Sequence, residues 1–185
     1  ERVRSDGSIV KALDDGVLDQ LLAYLAKEKV DSLAVCFLFS YLNNEHERYV
    51  AEKIQAKFPH VYISLSHEII PQIREFDRLS TTVINSYVGP SLGKYLNDLK
   101  TRFLALNHSK DILIMQSNGG IASVEDSIRL AVGSILSGPA GGVSGVTFYA
   151  EKLDEKKIIG FDMGGTSTDI SLIENGSPLL TNEKF

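Results

Sequence analysis

The chain has 185 residues, of which 43% are hydrophobic and 23% charged, with a formal net charge of -5. These values are typical of a globular protein with a sizeable core, and the acidic balance argues against nucleic acid as the main partner. No apolar run reaches the roughly 18 residues that a membrane span needs, and the charged start, Glu1–Arg4, is unlike a signal peptide. The single cysteine, Cys36, lies in an apolar run and is interpreted as a core residue. We therefore expect a cytoplasmic protein that binds neither nucleic acid nor membrane.

The first part of the chain alternates between apolar strands and amphipathic helices. Ser5-Asp6-Gly7-Ser8 predicts a hairpin between two short strands, and an acidic residue, Asp14, precedes the first helical period. Asn44 and Glu47 predict a capping pair at the start of the second helix. The predicted order is hairpin, helix, strand, helix and strand, at residues 3–10, 16–28, 32–39, 44–58 and 61–65. Because helices lie between apolar strands, we expect an α/β sheet.

His67 lies between Ser66 and Glu68, directly after the last of these strands. A histidine beside a glutamate is a candidate metal ligand or acid–base pair, but the pattern is more typical of a surface or loop histidine. No second histidine lies four residues away, so the zinc-binding helix pattern is excluded.

A long helix is predicted to follow the polar stretch at residues 75–82 and to run to about Leu106, with Asp77 or Ser80 as its cap. Gly89-Pro90 lies inside this helix. Proline lacks the N–H group that a helix interior uses, so the pair predicts a kink or a division into two helices.

Two polar sites are weaker candidates for binding a ligand. Arg78 either forms a surface ion pair with Glu75, which the local sequence favours, or faces an anionic or polar ligand. Ser117-Asn118-Gly119-Gly120 interrupts an apolar strand predicted at residues 112–115. The carboxyl end of a strand is where α/β proteins bind ligands, although a plain strand-to-helix turn explains these residues equally well.

Two further helices are predicted in the second half of the chain. Ser123 with Asp126 predicts the cap of a short helix, and Pro139 suits the first position of a helix at about residues 137–152. Gly141 and Gly145 lie one turn apart in that helix, at a cost of about 1 kcal/mol each relative to alanine. This cost is reasonable if another backbone or a nucleotide must approach closely.

Residues 158–174 read as strand, turn and strand. Gly164-Gly165 forms the turn, where glycines allow positive φ and let an anion approach the backbone. Asp162 and Asp169 flank the turn, and Asp162 could hold a metal through water. Hydroxyl donors are supplied by Thr166, Ser167 and Thr168. An ordinary hairpin with a bulge is the alternative, and Asn175-Gly176 predicts a second, two-residue hairpin turn.

The spacing Asp-x-Gly-Gly-Thr-x-Thr-Asp resembles the phosphate hairpin of the ATPase superfamily that includes actin, heat-shock chaperones and sugar kinases. Several stretches in series resemble the hydantoinase A / 5-oxoprolinase family, and they cover nearly the whole chain in the right order. These stretches are SHEIIPQIREFDRLSTTVIN (Ser66–Asn85), MQSNGG (Met115–Gly120), SGPAGG (Ser137–Gly142) and FDMGGTSTDISLI (Phe161–Ile173).

The resemblance implies an α/β, actin-like ATPase (ribonuclease H-like) fold with two lobes and a nucleotide cleft. It implies that residues 1–132 are a partial lobe one, and that residues 133–185 are the connecting helix and phosphate hairpin of lobe two. We therefore interpret the chain as a fragment covering the back of lobe one and the start of lobe two. With one phosphate hairpin, the isolated chain is expected to bind ATP weakly and to catalyse nothing.

The resemblance also implies an activity: ATP- and Mg²⁺-dependent hydrolysis of a cyclic amide of the 5-oxoproline or hydantoin type. The family often works with a second subunit or a fused domain. The alternatives are a related carboxylase subunit, a sugar or acetate kinase, and a chaperone-like ATPase that binds peptides without opening a ring.

The site residues that the resemblance implies fall into three groups. Asp162, also the metal ligand, and Asp169 are the catalytic candidates, and Asp169 either orders the turn or joins the metal shell. The cofactor-binding candidates are Gly164, Gly165, Thr166, Ser167, Thr168, Gly138, Gly141 and Gly142. The weaker candidates for the substrate side are Arg78, Ser117 and Asn118.

Overall fold

A computed structural model of the chain describes residues 1–108 and 110–179. The described residues form two compact units: residues 1–108 with Ile128–Val132, and Lys110–Ser127 with residues 133–179. The strands are β1 (Arg2–Val3), β2 (Ile9–Lys11), β3 (Ser32–Val35), β4 (Tyr62–Leu65), β5 (Ile114–Met115), β6 (Ile121–Ala122), β7 (Lys157–Met163), β8 (Thr168–Glu174) and β9 (Ser177–Pro178). The helices are α1 (Asp15–Glu28), α2 (Glu45–Lys57), α3 (Ser66–Ile69), α4 (Glu75–Ala105), α5 (Val124–Arg129) and α6 (Ser137–Leu153), and Ala131–Ser134 forms a 3-10 helix.

The predicted lobe boundary between residues 132 and 133 coincides with one of the breaks between the units. Lys110–Ser127, which was predicted in lobe one, groups instead with the second unit. The predicted ranges also contain residues 109 and 180–185, which lie outside the described residues. The assignment of the units to lobes stays a prediction.

The first unit begins as the sequence predicts. β1 pairs with β2 in an antiparallel hairpin, and α1 follows. The Asp14 carboxylate accepts hydrogen bonds from the N–H groups of Gly16 and Val17 at 2.9 and 3.2 Å, which satisfies two donors at the helix start. The helix ends at Glu28 and is capped by Lys29, whose φ of 52° is left-handed.

The core of the first unit lies between helices and a parallel pair of strands. β3 and β4 pair in parallel with Val35 opposite Leu65, and α2 forms the connection between them. A crossover helix of this kind is required because parallel strands cannot be joined by a tight turn. The buried core cluster consists of Leu18, Leu22, Val35, Val50, Ile54 and Leu65.

The strand predicted at residues 32–39 is wrong in its second half, because β3 ends at Val35. The backbone N–H group of Phe37 donates to a carboxylate oxygen of Glu47 at 2.9 Å, and the backbone carbonyl oxygen of Phe37 accepts from Arg78 at 2.6 Å. Both backbone groups of Phe37 are therefore hydrogen-bonded to side chains, whereas in a longer strand they would pair with a neighbouring strand. Cys36 is partly exposed rather than a core residue.

The long helix α4 begins at Glu75, so the predicted cap is wrong. Ser80 lies inside the helix, and its hydroxyl donates to the carbonyl oxygens of Phe76 and Asp77. The helix continues through Pro90 without the predicted division. Because Gly89 has no Cβ, the usual clash between a proline ring and the preceding side chain is removed.

The second unit contains a short hairpin, a helix and a three-stranded antiparallel sheet. β5 pairs with β6, and β7, β8 and β9 form the sheet in that order. Asn175 and Gly176 have φ values of 52° and 75°, as the predicted two-residue turn requires. The hydroxyl of Ser123 accepts from the Asp126 N–H at 3.0 Å, which confirms the predicted cap of α5. Within residues 1–108 and 110–179, no helix combines the length and apolar character that crossing a bilayer requires.

Candidate functional site

The predicted strand–turn–strand motif is the β7–β8 hairpin. Its two strands are paired over seven residues each, from Lys157 opposite Glu174 to Met163 opposite Thr168. In this register Asp162 lies directly opposite Asp169. Facing residues of an antiparallel pair point to the same side of the sheet, so the two carboxylates are cross-strand neighbours.

The turn between the strands is open to solvent. Gly164 donates its N–H to the Ser167 carbonyl oxygen at 2.9 Å, which closes the turn. The N–H groups of Gly165, Thr166 and Ser167 have no acceptor among the described residues. All three residues are exposed, as are the side chains of the flanking strands from Phe161 to Ile170. Free N–H groups on a turn are suited to binding an anion.

The glycines of this turn matter because they have no side chain, and not because they adopt a special backbone conformation. In the described chain, positive φ at glycine occurs at Gly7, Gly119 and Gly176, so the predicted use of positive φ at Gly164-Gly165 is wrong. A Cβ placed on Gly165 would meet nothing within 4 Å. The absence of a side chain therefore leaves the backbone open to a ligand.

Helix α6 packs on the face of the hairpin that carries the two aspartates. A Cβ on Gly160 would lie 2.7 Å from Cγ2 of Val146, so β7 needs a glycine where the helix crosses it. One turn earlier in the helix, a Cβ on Gly142 would lie 3.6 Å from Oδ2 of Asp162. Pro139 is the third residue of α6 rather than the first as predicted. It is tolerated there because the first four N–H groups of a helix have no partner within it.

The other two candidate glycines of α6 have different surroundings. A Cβ on Gly141 would lie 3.6 Å from Cγ of Met115, so this glycine faces β5 rather than the hairpin. A Cβ on Gly138 would meet nothing within 4 Å, and the same holds for Gly145. Gly142 is therefore the glycine whose contacts connect the helix to the aspartates.

A cavity of about 300 Å³ lies between α6 and the hairpin. Both aspartates line it, and its volume suits a hydrated ion or a phosphate group rather than a whole nucleotide. The lining residues are Pro139, Gly142, Val143, Val146, Gly160, Phe161, Asp162, Asp169, Ile170 and Ser171.

The donor set of this cavity fits a hard divalent cation only in part. Two carboxylates facing each other across a strand pair repel, and a cation between them would remove that repulsion. Oxygen ligands are those that Mg²⁺ prefers, and Mg²⁺ commonly keeps several waters and one or two carboxylates. No group of three or more metal-binding side chains occurs within residues 1–108 and 110–179. Water and phosphate oxygens would therefore have to complete the shell.

Ser117 and Asn118 follow the carboxyl end of β5, as predicted, but they lie in the turn of the antiparallel β5–β6 hairpin and not in a strand-to-helix turn. The Ser117 N–H donates to the Gly133 carbonyl oxygen at 2.6 Å. The Asn118 side-chain oxygen accepts from the Gly120 N–H at 2.9 Å, which ties this amide to its own turn. Both side chains are exposed, and the hydroxyl of Ser117 is the freer group.

Arg78 is completely buried in the first unit. Its guanidinium donates to the carbonyl oxygens of Phe37 and Gln72 at 2.6 and 3.1 Å, and to the Ser66 hydroxyl at 3.2 Å. The predicted surface ion pair with Glu75 is therefore wrong. The described contacts give no support to the alternative prediction, that Arg78 faces a ligand.

Sequence reasoning missed a buried polar cluster around Glu47. This residue is 0% exposed and does not cap α2 as predicted; Asn44 makes no side-chain cap either. The Glu47 carboxylate accepts from the N–H groups of Phe37 and His67, from the Ser66 hydroxyl and from Nδ1 of His67. Burial by itself raises the pKa of Glu47, but these hydrogen bonds together hold the pKa below its ordinary value.

The sequence does contain a pattern that indicates this cluster. Glu47 lies three and seven residues before Val50 and Ile54, which are core residues of α2. A charged residue in the apolar stripe of a helix requires buried partners. His67, predicted as a surface or loop residue, is one of those partners, and its side chain is only 9% exposed.

Comparison with known families gives matches over most of the chain. The family described as Hydantoinase/oxoprolinase matches residues 78–185, and the Hydantoinase/oxoprolinase N-terminal region matches residues 1–58. The 5-oxoprolinase of Saccharomyces cerevisiae is 38% identical over 172 residues, which cover 91% of this chain and 13% of that protein. The caprolactamase subunit alpha of Pseudomonas jessenii is 35% identical over 175 residues, covering 95% of this chain and 25% of that protein.

Two solved structures share the fold. The ATP-dependent caprolactamase from Pseudomonas jessenii superposes with a TM-score of 0.84 at 36% identity, over 92% of this chain and 25% of that chain. The nucleotide-free acetone carboxylase superposes with a TM-score of 0.81 at 28% identity, over 95% of this chain and 25% of that chain. The predicted α/β fold of the actin-like ATPase type is confirmed by these similarities. The chain spans about a quarter of the length of both structures.

Proposed function

Because this chain belongs to the hydantoinase/oxoprolinase family, we propose that it forms the phosphate-binding part of an ATP-dependent enzyme that opens a cyclic amide. The observation that carries the proposal is the β7–β8 hairpin, whose turn has free N–H groups next to two opposed aspartates. The names of the relatives support it, since they include 5-oxoprolinase and ATP-dependent caprolactamase. We expect a substrate of the 5-oxoproline or hydantoin type and, given the single cysteine, a cytoplasmic protein.

The turn residues bind and orient the terminal phosphates in this proposal. The N–H groups of Gly165, Thr166 and Ser167 are free to donate to phosphate oxygens, and the hydroxyls of Thr166, Ser167 and Thr168 add further donors. Gly164 holds the turn closed through its hydrogen bond to Ser167. Donors fixed in advance stabilise charge without reorganising during the reaction.

Asp162 and Asp169 would hold Mg²⁺ or its water shell in the cavity against α6, and the ion would supply positive charge beside the phosphates. Both carboxylates line that cavity, and Gly142 leaves room beside Asp162. Gly138 and Gly141 are weaker candidates for this site, and their role would be to keep the start of α6 free of side chains. On the substrate side, Ser117 is a candidate through its exposed hydroxyl, whereas Asn118 is less suited because its oxygen is already bonded.

A ring amide reacts poorly with water because its carbonyl carbon is a weak electrophile. Transfer of the terminal phosphoryl group of ATP to the carbonyl oxygen, with ADP as the leaving group, would make the carbonyl carbon a stronger electrophile. Water would then add to this carbon, the C–N bond would break to open the ring, and the phosphorylated oxygen would leave as phosphate when the acyl phosphate is hydrolysed. The chain's own contribution is to position the transferring group and to neutralise its charge, as in other phosphoryl transfers. Asp162 would orient an attacking group or the water shell of a cation from its position on the cavity wall.

The test uses the intact protein, together with any partner chain that copurifies, and the substitution Asp162→Ala. ATP hydrolysis and ring opening are measured together with 5-oxoproline, hydantoin and caprolactam. We expect both rates to fall at least 100-fold, a loss typical of removing a group that stabilises charge in the transition state. Glu151→Ala is the control, because Glu151 is an exposed carboxylate of α6 that does not line the cavity. Activity of Asp162→Ala within a few-fold of wild type would remove Asp162 from the mechanism.

Assays of the same intact protein with other substrates distinguish the competing functions. Phosphorylation of glycerol or a hexose would favour a kinase, ATP-dependent carboxylation of a ketone would favour a carboxylase subunit, and peptide-stimulated ATP turnover alone would favour a chaperone-like ATPase. A second subunit is also proposed, since relatives are named caprolactamase subunit alpha and acetophenone carboxylase gamma subunit. Ring opening by the purified single chain would contradict that requirement.

A further inference from the structure

The cavity between α6 and the β7–β8 hairpin has polar side chains on one wall only. The residues of its α6 wall carry no polar side-chain group: they are Pro139, Gly142, Val143 and Val146. On the hairpin wall, the side chains that contain oxygen belong to Asp162, Asp169 and Ser171. A ligand in this cavity must therefore obtain its polar side-chain contacts from the two strands.

Ser171 lies on the same face of the hairpin as the two aspartates. In the β7–β8 register, Asp162 lies opposite Asp169, and Gly160 lies opposite Ser171. Successive residues of a strand alternate between the two faces, so residues two apart, such as Asp169 and Ser171, point to the same side. The three oxygen-bearing side chains therefore occupy two adjoining cross-strand pairs, and Gly160 takes the fourth position.

The glycine at the fourth position leaves space for the serine hydroxyl. A Cβ on Gly160 would collide with Oγ of Ser171, so the hydroxyl lies where the side chain of any other residue on β7 would begin. The Ser171 hydroxyl is therefore directed across the strand pair, towards the strand that also carries Asp162.

The Ser171 hydroxyl has no hydrogen-bond partner among the residues that the structure describes. The hydroxyls of Ser144 and Thr147 on α6, by contrast, donate to carbonyl oxygens of their own helix. Ser171 is half-buried, and its oxygen is not among the fully enclosed atoms, so it stays open to the cavity that it lines. A polar group that is partly removed from bulk water needs a partner from a ligand or from an ordered water.

This third oxygen supplies part of what the two aspartates lack as a cation site. No three carboxylates, histidines or cysteines come together as a metal site in the described chain. Mg²⁺ keeps several waters, and those waters need hydrogen-bond acceptors, which a serine hydroxyl can provide. Residues two apart on a strand are separated by roughly 7 Å, whereas Mg²⁺ holds its ligands at about 2.1 Å. This spacing favours a contact between Ser171 and a water of the ion over direct ligation.

We propose that Ser171 is a positioning residue of the cation site, and that its hydroxyl accepts a hydrogen bond from a water of the Mg²⁺ shell held by Asp162 and Asp169. The assignment rests on the proposed function, in which those aspartates hold the ion. Ser171 would thus determine how tightly the ion binds, without contacting the phosphoryl group that is transferred.

The first arm of the test measures cation affinity and not activity. Mn²⁺ serves as the probe in place of Mg²⁺, because its electron paramagnetic resonance signal reports the free ion. The intact protein is titrated in the presence of a non-hydrolysable ATP analogue. We expect Ser171→Ala to weaken Mn²⁺ binding about ten-fold, the lower end of the usual loss when a partner of a metal's ligands is removed. An Mn²⁺ affinity equal to that of wild type would overturn the proposal.

Two further variants separate the hydroxyl from the shape of the side chain. Ser171→Cys keeps the shape, but a thiol is a weak hydrogen-bonding group, so we expect a loss similar to that of Ser171→Ala. Wild-type affinity in Ser171→Cys would overturn the role of the hydroxyl. Ser177→Ala is the matched control and should bind Mn²⁺ as wild type does, because Ser177 is an exposed serine of the same sheet that does not line the cavity.

The second arm measures ATP hydrolysis as a function of Mg²⁺ concentration. We expect Ser171→Ala to need about ten-fold more Mg²⁺ for its half-maximal rate and to reach a kcat close to that of wild type at saturating Mg²⁺. A lower kcat at saturation with an unchanged Mg²⁺ dependence would overturn the proposal, because the hydroxyl would then act on the reacting groups. Removing a hydroxyl that has no protein partner should leave the fold intact, and denaturant unfolding without metal checks this.

The two arms separate this proposal from the proposed function. If Asp162→Asn abolishes Mn²⁺ binding and Ser171→Ala does not weaken it, the proposed cation site stands and the role of Ser171 fails. If Mn²⁺ binding responds to both changes but the wild-type protein opens no cyclic amide, the proposed activity fails and the role of Ser171 stands. If Asp162→Asn leaves Mn²⁺ binding unchanged, the cation site fails, and the role of Ser171 fails with it.

Discussion

Gly142 of α6 faces Asp162 of β7 so closely that a Cβ on the glycine would lie 3.6 Å from Oδ2 of the carboxylate. That distance is an ordinary van der Waals contact, so one methyl group fits there, but a longer side chain would enter the cavity that both aspartates line. The helix glycine thus controls the space in front of the aspartates.

The first prediction concerns this space. Gly142→Leu should weaken ATP binding to the intact protein at least ten-fold, because the side chain would occupy the cavity beside Asp162. The matched control is Gly145→Leu, since a Cβ there would meet nothing within 4 Å. Both changes should favour the helix itself by up to about 1 kcal/mol. Calorimetric titration with a non-hydrolysable ATP analogue measures the effect, and equal affinities for the two variants would contradict the prediction.

The second prediction concerns the contact between β7 and α6. Gly160→Ala should destabilise the protein by about 1–3 kcal/mol, the usual effect of overpacking. The reason is that the new Cβ would lie 2.7 Å from Cγ2 of Val146 and would also crowd the Ser171 hydroxyl. Gly165→Ala serves as the control and should change stability by less than about 0.5 kcal/mol, because its Cβ would project into open space. Denaturant unfolding of both variants provides the comparison, and similar midpoints would refute the packing argument.

The third prediction concerns Tyr62, whose ring lies against Gly89 of α4. The Tyr62 hydroxyl donates to the Ile128 carbonyl oxygen at 2.6 Å, which fixes the ring in place. Gly89→Ala should therefore destabilise the protein by about 2 kcal/mol or more through overpacking. In a Tyr62→Ala background the same change should cost clearly less, because the ring is gone and the contact between the new Cβ and the Pro90 ring is the part that remains. A double-mutant cycle of unfolding free energies measures this coupling, and an equal effect of Gly89→Ala in both backgrounds would show that the ring is not the cause.

The fourth prediction concerns pH. The pKa of Glu47 lies below its ordinary value of 4.5 in the folded protein. A carboxyl whose pKa is lowered by folding adds stability above its unfolded pKa, and this stability is lost as the pH falls through the folded pKa. Stability should therefore decrease as the pH falls below about 4.5, and Glu47→Gln should reduce this dependence as well as the stability at neutral pH. The control is Glu52→Gln, an exposed residue of the same helix. Thermal unfolding midpoints from pH 3 to 7 test this, and parallel curves for wild type and Glu47→Gln would contradict it.

Local chemistry was sufficient to predict several elements from the sequence. The acidic start of α1 at Asp14, the Asn175-Gly176 turn and the cap of α5 at Ser123 depend on contacts within a few residues. The β7–β8 hairpin was predicted for the same reason, because its glycine turn joins two apolar strands that are adjacent in sequence. Such contacts form independently of the tertiary structure, so the amino-acid sequence alone is enough to predict them.

The tertiary structure determined what depends on distant partners. Glu47 reads as a helix cap in the sequence, but Ser66 and His67, about twenty residues later, enclose its carboxylate. Arg78 reads as a surface charge, yet it donates to a carbonyl oxygen 41 residues earlier, on Phe37, and this contact helps to end β3. The physical reason is that a buried charged or polar group needs hydrogen-bond partners, and tertiary packing determines which groups lie near it. The periodicity of a sequence indicates that a residue is buried, but it does not indicate which distant group will bond to it.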